Sequence, residues 1–338
     1  MLKYSQKQQK IINIIVKNTE ISSSVLRDEM LKSGENISLV TIKRHLSELV
    51  ELRALKVSGS GRSTRYAISA LGRLFNYINS REYCATEPDK RYGLDRYNFE
   101  MLAAIPPEIF SAPESEKLDN ATTEYKKRTA DLPAALQKKE LERLIIELSW
   151  KSSKIEGNTY TLLDTEKLIL ENKEAPGHSR QEAQMILNHK DAFKFVHDNR
   201  GHFRTLTRKD LEELHAVLTK DMGVSSGLRG KPVGVVGSKY KPLDNIHKIR
   251  EAIDALSQAA NLTLSPFAKS LIALAGISYI QPFEDGNKRT SRLMANALLL
   301  AHGCSPLSYR SVDENEYREA MLVFYELNSL MPIKKIFI

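Results

Sequence analysis

From Ala134 to Leu327 apolar side chains recur every three or four residues, and almost nowhere does this spacing give way to strand-like alternation. Leu141, Leu144, Ile145 and Leu148 follow the i, i+3, i+4, i+7 stripe of an amphipathic helix. The same period predicts helices near 179–198, 206–220, 246–258, 266–279, 286–302 and 313–327, with Thr207 and Asp210 at capping-box spacing. A Rossmann sheet would need strands between these helices, and none is spelled out. Only Pro232 to Tyr240 reads as a short hairpin. The fold class expected is mainly α.

The first 78 residues have a different pattern. Residues 5–17 carry Ile11, Ile12, Ile14 and Ile15 and read as a helix. Ser22 to Ser24 can cap a second helix, with Val25, Leu26 and Met30, which Gly34 would end. Ser38 opens a third, with Ile42, Leu46, Leu49 and Val50 on one face and Lys43, Arg44 and Glu48 on the other. A hairpin follows: Leu55-Lys56-Val57, a turn at Ser58-Gly59-Ser60-Gly61, then Thr64 to Ile68. Three helices and a basic-tipped hairpin resemble a winged helix-turn-helix over about the first 75 residues. Such a module would offer Thr41, Lys43 and Arg44 to a major groove, and Arg62 and Arg65 to phosphate, so double-stranded DNA is an expected partner. No Gly-Lys-Ser/Thr follows Gly59-Ser60-Gly61, so a wing turn accounts for it better than a phosphate loop.

Charge agrees with that division. Of the net +8, residues 1–80 supply +7, from 13 Lys or Arg against 6 Asp or Glu. A basic excess so concentrated points to a polyanion for that segment alone. The 338 residues suffice for two or three domains. Apolar runs such as 271–280 fall short of the roughly 20 residues a membrane span requires. The N-terminal residues carry no apolar signal region, and Cys84 and Cys304 have neither disulfide nor zinc spacing. A cytoplasmic location without membrane attachment is expected, and a homodimer is compatible with a winged-helix regulator. Pro106, Pro107, Pro113 and Pro133 interrupt the middle of the chain. The expected division is therefore a winged segment at 1–78, a linker and helical lead-in at 79–133, and a helical domain at 134–338.

Chemistry concentrates in Gln281-Pro282-Phe283-Glu284-Asp285-Gly286-Asn287-Lys288-Arg289-Thr290-Ser291-Arg292. It joins two apolar helices, which places a loop at a helix N-terminus, where unpaired N–H groups and the positive dipole end favour phosphate. Gly286 allows close backbone approach, Asn287 adds a donor, and Arg289 and Arg292 share a face on which they can grip successive phosphate oxygens. Asp285 is suited to Mg²⁺ that bridges phosphates.

This segment resembles the Fic signature, His-x-Phe-x-(Asp/Glu)-Gly-Asn-(Gly/Lys)-Arg-x-x-Arg, and meets it at every specified position from Phe283 to Arg292, Lys288 included. Gly227-Leu228-Arg229 and the following Pro232–Tyr240 are similar to the family's flap, and residues 182–193 to its preceding helix. The resemblance covers about 134–327 and implies an all-helical Fic domain, with a core near 200–305 and a short hairpin flap. It also implies ATP and Mg²⁺ as cofactors and transfer of AMP to a Tyr, Thr or Ser hydroxyl of a target protein, the chain itself included. The flap residues Val233, Gly234, Val235, Val236 and Gly237 would dock the target like an added strand. Ser152-Ser153-Lys154-Ile155-Glu156-Gly157 resembles the family's inhibitory motif, (Ser/Thr)-x-x-x-Glu-(Gly/Asn). That motif implies an inhibitory helix over 134–158, in which Glu156 occupies Arg292 and spoils the pose of ATP.

One position departs from the pattern. Gln281 stands where the resemblance places the catalytic histidine, and a carboxamide cannot act as a general base. Three readings follow: a weakened adenylyltransferase, a silent nucleotide-binding domain that regulates the winged helix, or an enzyme that removes AMP with the help of Glu156.

Overall fold

The computed structural model describes residues 3–130 and 132–338. Met1 and Leu2, in the segment expected to be winged, and Asp131, in the expected lead-in, lie outside the described residues. The chain divides into two compact units. One comprises residues up to Ile105 with Val235–Lys241 and Glu319–Lys335; the other comprises Pro106–Gly234, Pro242–Arg318 and Ile336–Ile338.

The first unit begins with α1 (Gln6–Ile15), α2 (Ser23–Lys32) and α3 (Leu39–Glu51). Ser5, Ser22 and Ser38 each cap a helix by accepting an N–H three residues on, and Ser5 and Gln8 complete a capping box. Their apolar faces meet in one core: Ile11, Ile12, Leu26, Met30, Ile42, Leu46 and Leu49 are all fully buried. Strands β1 (Leu55–Ser58) and β2 (Arg65–Ile68) pair antiparallel with Leu55 opposite Ile68. Ile21 adds a bridge to Tyr66. Lys43 and Arg44 on α3 and Arg62 and Arg65 on the hairpin are exposed, as the pattern required, and Thr41 is half-buried. Short helices α4 (Ala70–Leu74), α5 (Ser80–Cys84) and α6 (Glu100–Ala103) follow in the same unit.

The second unit holds α7 (Ala112–Ala130), α8 (Ala134–Ile155), α9 (Leu162–Glu171), α10 (Arg180–Asp198), α11 (Arg208–Leu218), α12 (Ile246–Leu262), α13 (Pro266–Ile280) and α14 (Asn287–Ala301). Helices α15 (Glu314–Leu327) and α16 (Met331–Phe337) contribute residues to both units. The lead-in is more regular than its prolines suggested. Pro113 falls in the first turn of α7, where a missing N–H costs nothing, so it starts the helix rather than breaking it. Helix α9, absent from the sequence reading, is capped by Thr161 and ends on Asn172 in the left-handed region. Every residue of α13 from Phe267 to Ile280 is buried. It is the central helix, and it carries its C-terminal loop into the interior of the unit.

The segment Pro232–Tyr240 differs from expectation. It forms no strand pair: a turn with Ser238 N–H donating to the Val235 carbonyl survives, and Gly237 at φ +76° serves it. The second arm bonds elsewhere, Lys239 N–H to Glu326, Tyr240 N–H to Ser238 Oγ and Lys241 N–H to the Asp95 carbonyl, so it does not pair with the first. Among the described residues no helix is long and apolar enough to cross a membrane.

Candidate functional site

The site is the loop between α13 and α14. Helix α13 ends at Gln281, which sits in the left-handed region (φ 52°, ψ 62°) and donates its N–H to the Ile277 carbonyl. Its carboxamide is tied back, Nε2 donating to the Ser278 carbonyl at 2.6 Å. Arg229, almost fully buried, fixes the next bond: Nε donates to the Gln281 carbonyl at 2.6 Å and its backbone N–H to the Pro282 carbonyl at 3.0 Å.

Phe283 is fully buried and stacks on His215 with ring centroids 3.7 Å apart and planes 8° from parallel. His215 lies within 2.9 Å of the Asp285 carbonyl through Nε2, and a carbonyl only accepts, so Nε2 carries the hydrogen. Burial pushes the His215 imidazole down to about 4, so it is neutral at pH 7. Asn287 accepts the Phe283 N–H and donates to the Phe283 carbonyl, both at 2.8 Å. This corrects one expectation. The asparagine side chain is not offered to a ligand; it closes the loop on itself.

Gly286 is the N-cap of α14 at φ +77°. A Cβ there would approach Thr219 Cγ2 to 3.0 Å and the His215 ring to 3.5 Å, so both conformation and space demand glycine. The first bond of the α14 ladder is Thr290 N–H to the Gly286 carbonyl, so the amides of Asn287, Lys288 and Arg289 precede it, at the positive end of the helix.

The charged groups of this turn are already engaged. Arg289, 2% exposed, pairs with Asp285 at 3.1 Å, while the Asp285 carboxylate is 66% exposed. Arg292, 1% exposed, meets Glu156 at 2.8 Å and donates to Ser152 twice, Nε to Oγ at 3.0 Å and a terminal nitrogen to the carbonyl at 2.8 Å. Lys288 stands 3.7 Å from the second Glu156 oxygen. Glu156 is the C-cap of α8 and Gly157 turns the chain away at φ +98°. Burial works to raise the Glu156 pKa, but Arg292, Lys288 and Arg289 outweigh it and hold the carboxyl below its ordinary range. Tyr317 lies with its ring centroid 5.7 Å from the Arg292 guanidinium.

The structure thus gathers Ser152, Glu156, Gln281, Asp285, Gly286, Asn287, Lys288, Arg289 and Arg292 within one unit. Two histidines that no motif singled out belong here as well. His215 clamps the loop. His189 on α10 is fully buried, and burial with the neighbouring Arg292 and Arg289 charges pushes it down to about 3. Their only trace in the sequence is a place on the apolar face of a helix. Among the described residues no three acidic, histidine or cysteine side chains cluster as a metal site. Asp285 alone at the mouth fits only a cation that draws its remaining ligands from phosphate and water, the usual habit of Mg²⁺.

Residues 205–299 match the model of the Fic/DOC family. The sequence is 29% identical over 213 residues to a protein adenylyltransferase Fic of Nematostella vectensis, covering 61% of this chain and 49% of that one. It is 26% identical over 190 residues to protein adenylyltransferase fic-1 of Caenorhabditis elegans, covering 53% and 36%. The chain therefore spans about half the length of the first relative and about a third of the second. In fold it is similar to a Fic family protein from Desulfovibrio desulfuricans (TM-score 0.55, 22% identity, 69% of this chain and 72% of that one). It is also similar to residues 134–508 of Fic-1 from C. elegans (TM-score 0.53, 19% identity, 67% of each).

Proposed function

We propose that this chain, whose residues 205–299 form a Fic/DOC-family domain, binds the phosphates of ATP at the start of α14 and belongs to the adenylyltransferase type, restrained by Glu156 and weakened at Gln281. In the reaction, the oxygen of a Tyr, Thr or Ser hydroxyl on a target protein bonds to the α-phosphorus, and the bond from that phosphorus to the bridging oxygen breaks. Pyrophosphate leaves, AMP remains on the protein, and the hydroxyl proton must go to a base. The amides ahead of the α14 ladder, with Lys288 and Arg289, would hold the phosphates. Asp285 would hold Mg²⁺, which when bound neutralises phosphate charge.

The observation that carries this reading is the Glu156–Arg292 pair at 2.8 Å at the head of that helix. A guanidinium paired with a carboxylate and bonded twice to Ser152 is held away from a terminal phosphate, so ATP would settle in an unproductive pose. Removing Glu156 would release Arg292 for the ligand. Gln281 brings a second restraint: it has no titratable site, and its amide is drawn toward the Ser278 carbonyl. Loss of a general base typically costs about 10²–10⁴ in rate.

That same tether favours a second reading, a silent domain that binds nucleotide and reports it to a winged helix-turn-helix. There the exposed Lys43, Arg44, Arg62 and Arg65 would meet duplex DNA. One experiment separates the two. The protein is incubated with α-labelled ATP and Mg²⁺ as wild type, as Glu156→Gly, and as Glu156→Gly with Gln281→His. Label transferred by Glu156→Gly supports a working transferase, with a gain of about 10²–10⁴ on restoring histidine. Label only from the double variant supports silencing. Absence of Mg·ATP binding by Glu156→Gly in calorimetry would defeat both.

A further inference from the structure

The segment proposed to dock a target is held by a buried charge cluster. Glu326 is fully buried and accepts from four groups: Tyr83 OH at 2.7 Å, Arg91 at 3.2 Å, Ser238 Oγ at 2.6 Å and the Lys239 N–H at 3.3 Å. Arg91, 5% exposed in its side chain, also donates to the Gly237 carbonyl at 3.0 Å, to Thr86 at 2.8 Å and to Cys84 at 3.3 Å. Its own carbonyl accepts from Lys239 Nζ at 2.6 Å. Around the cluster the chain is close-set. Gly93 at φ +114° could not carry a Cβ, which would come within 2.5 Å of the Glu326 carbonyl oxygen, and the Leu94 N–H bonds that oxygen at 2.6 Å. Lys241 pairs parallel with Arg96. Within this anchored stretch Val236 is 94% exposed, at the turn next to Gly237.

We propose that Arg91 and Glu326 are positioning residues for target recognition. By holding Gly237, Ser238 and Lys239 they fix the register in which the backbone of Val235 and Val236 meets an extended, hydroxyl-bearing segment of a partner protein. The inference rests on the reading of this segment as the docking edge. Physically, an added strand is recognised through main-chain hydrogen bonds, and a slip of one residue turns every side chain to the wrong face. A loop without a ladder of its own needs an external clamp to present one register, and the charge cluster is that clamp. It belongs to the unit that carries α1–α3, so whatever engages that unit has access to the docking edge through Arg91.

The test uses the full chain and two variants. Glu326→Gln keeps the size of the hub and removes its charge; Ser238→Ala removes the hydroxyl's bonds to Glu326 and to the Tyr240 N–H and spares the buried pair should the first variant fold poorly. Hydrogen exchange at residues 235–241 should quicken about tenfold, the worth of one hydrogen bond, while exchange at 281–292 and Mg·ATP affinity stay within about twofold. In the Glu156→Gly, Gln281→His background, with a tagged second copy as acceptor, acceptor KM should rise about tenfold and ATP KM should not change. Unchanged exchange at 235–241 in both variants overturns the proposal, as does an equal rise in both KM values. A background that transfers no label counts against the transferase reading, and the exchange comparison still decides the clamp.

Discussion

The loop 281–286 and the segment 235–241 are both short, irregular and rich in turn residues, yet they are held differently. The first is shaped at its core by its own motif, Asn287 taking both backbone groups of Phe283 and Gly286 turning the chain into α14, with Arg229 and His215 clamping it from outside. The second is pinned from far away in sequence, by Arg91 and by Glu326. A loop with bonds inside its own motif keeps part of its shape when outside contacts are lost. A loop determined at long range takes its shape from whatever holds its partners. Phosphate binding calls for the first kind, since the ligand is always the same. Recognition of a variable protein target can be tuned through the second.

The largest effect should come from Gly286→Val. The position needs φ +77°, which a β-branched residue resists, and its Cβ would press on Thr219, itself buried and bonded to the His215 carbonyl. Mg·ATP affinity measured in a Glu156→Gly background should fall about a hundredfold or more, the consequence of roughly 3 kcal/mol of strain and misplacement. Affinity within a few-fold of the parent would show that the loop is not locally set.

Acid should break the first loop next. His215 and His189 have folded values of about 4 and about 3, both below the ordinary 6.5. Between those values and 6.5 the unfolded chain binds more protons than the folded one, so stability is full above about 6.5 and drains away as pH falls toward 4 and then 3. For His215 the drop amounts to roughly 3 kcal/mol across that window. His215→Phe keeps the stack on Phe283 and should flatten that part of the stability–pH curve in denaturant titrations. Glu156 acts lower on the scale. Its depressed carboxyl contributes stability above the ordinary carboxylate range and loses it as pH falls through its folded value. The inhibitory pair should therefore persist at pH 5.5. A curve for His215→Phe identical to the parent's would remove the histidine from the account.

Asn287→Ala should cost about 2 kcal/mol, because Phe283 would leave a buried N–H and a carbonyl without their partner. Nucleotide affinity should fall along with thermal stability. A variant that loses one without the other would show that the loop's shape and its ligand are not linked.

The same contrast sets how much of the molecule was legible in its sequence. Serine caps, apolar stripes and the turn at Gly34 act over a few residues, and α1–α3, β1 and β2 lie where they pointed. The spacing of Gly286, Arg289 and Arg292 is likewise local, whereas the contact of Glu156 with Arg292 is distant in sequence and was legible only through the resemblance of residues 152–157 to an inhibitory motif. What escaped was long-range. The hairpin expected at Pro232–Tyr240 fails because its backbone groups are taken by residues near 91–95 and by Glu326, which no window of sequence can weigh. His215 and His189 looked like any helical histidine until the fold set one against Phe283 and the other beside two arginines. Pro113 was misread for a different reason: proline starts helices as readily as it ends them, and only the residues after it decide.

The smallest expected effect falls on the long-range loop. Ser238→Ala removes one hydrogen bond to Glu326, which keeps three other donors, so the carboxylate stays satisfied and buried without penalty. Ser238 Oγ also accepts the Tyr240 N–H at 3.1 Å, so two bonds are lost, and global stability should change by about 1 kcal/mol, less than for Asn287→Ala. Asn287→Ala also removes its bonds from one short loop, but it leaves both backbone groups of the fully buried Phe283 unpaired. If the two loops differ as argued, the serine variant should unfold within a few degrees of the parent and bind Mg·ATP as the parent does, whereas the asparagine variant should lose on both measures. Equal losses would mean that the two loops are one cooperative structure, and the distinction between local and distant restraint would fail.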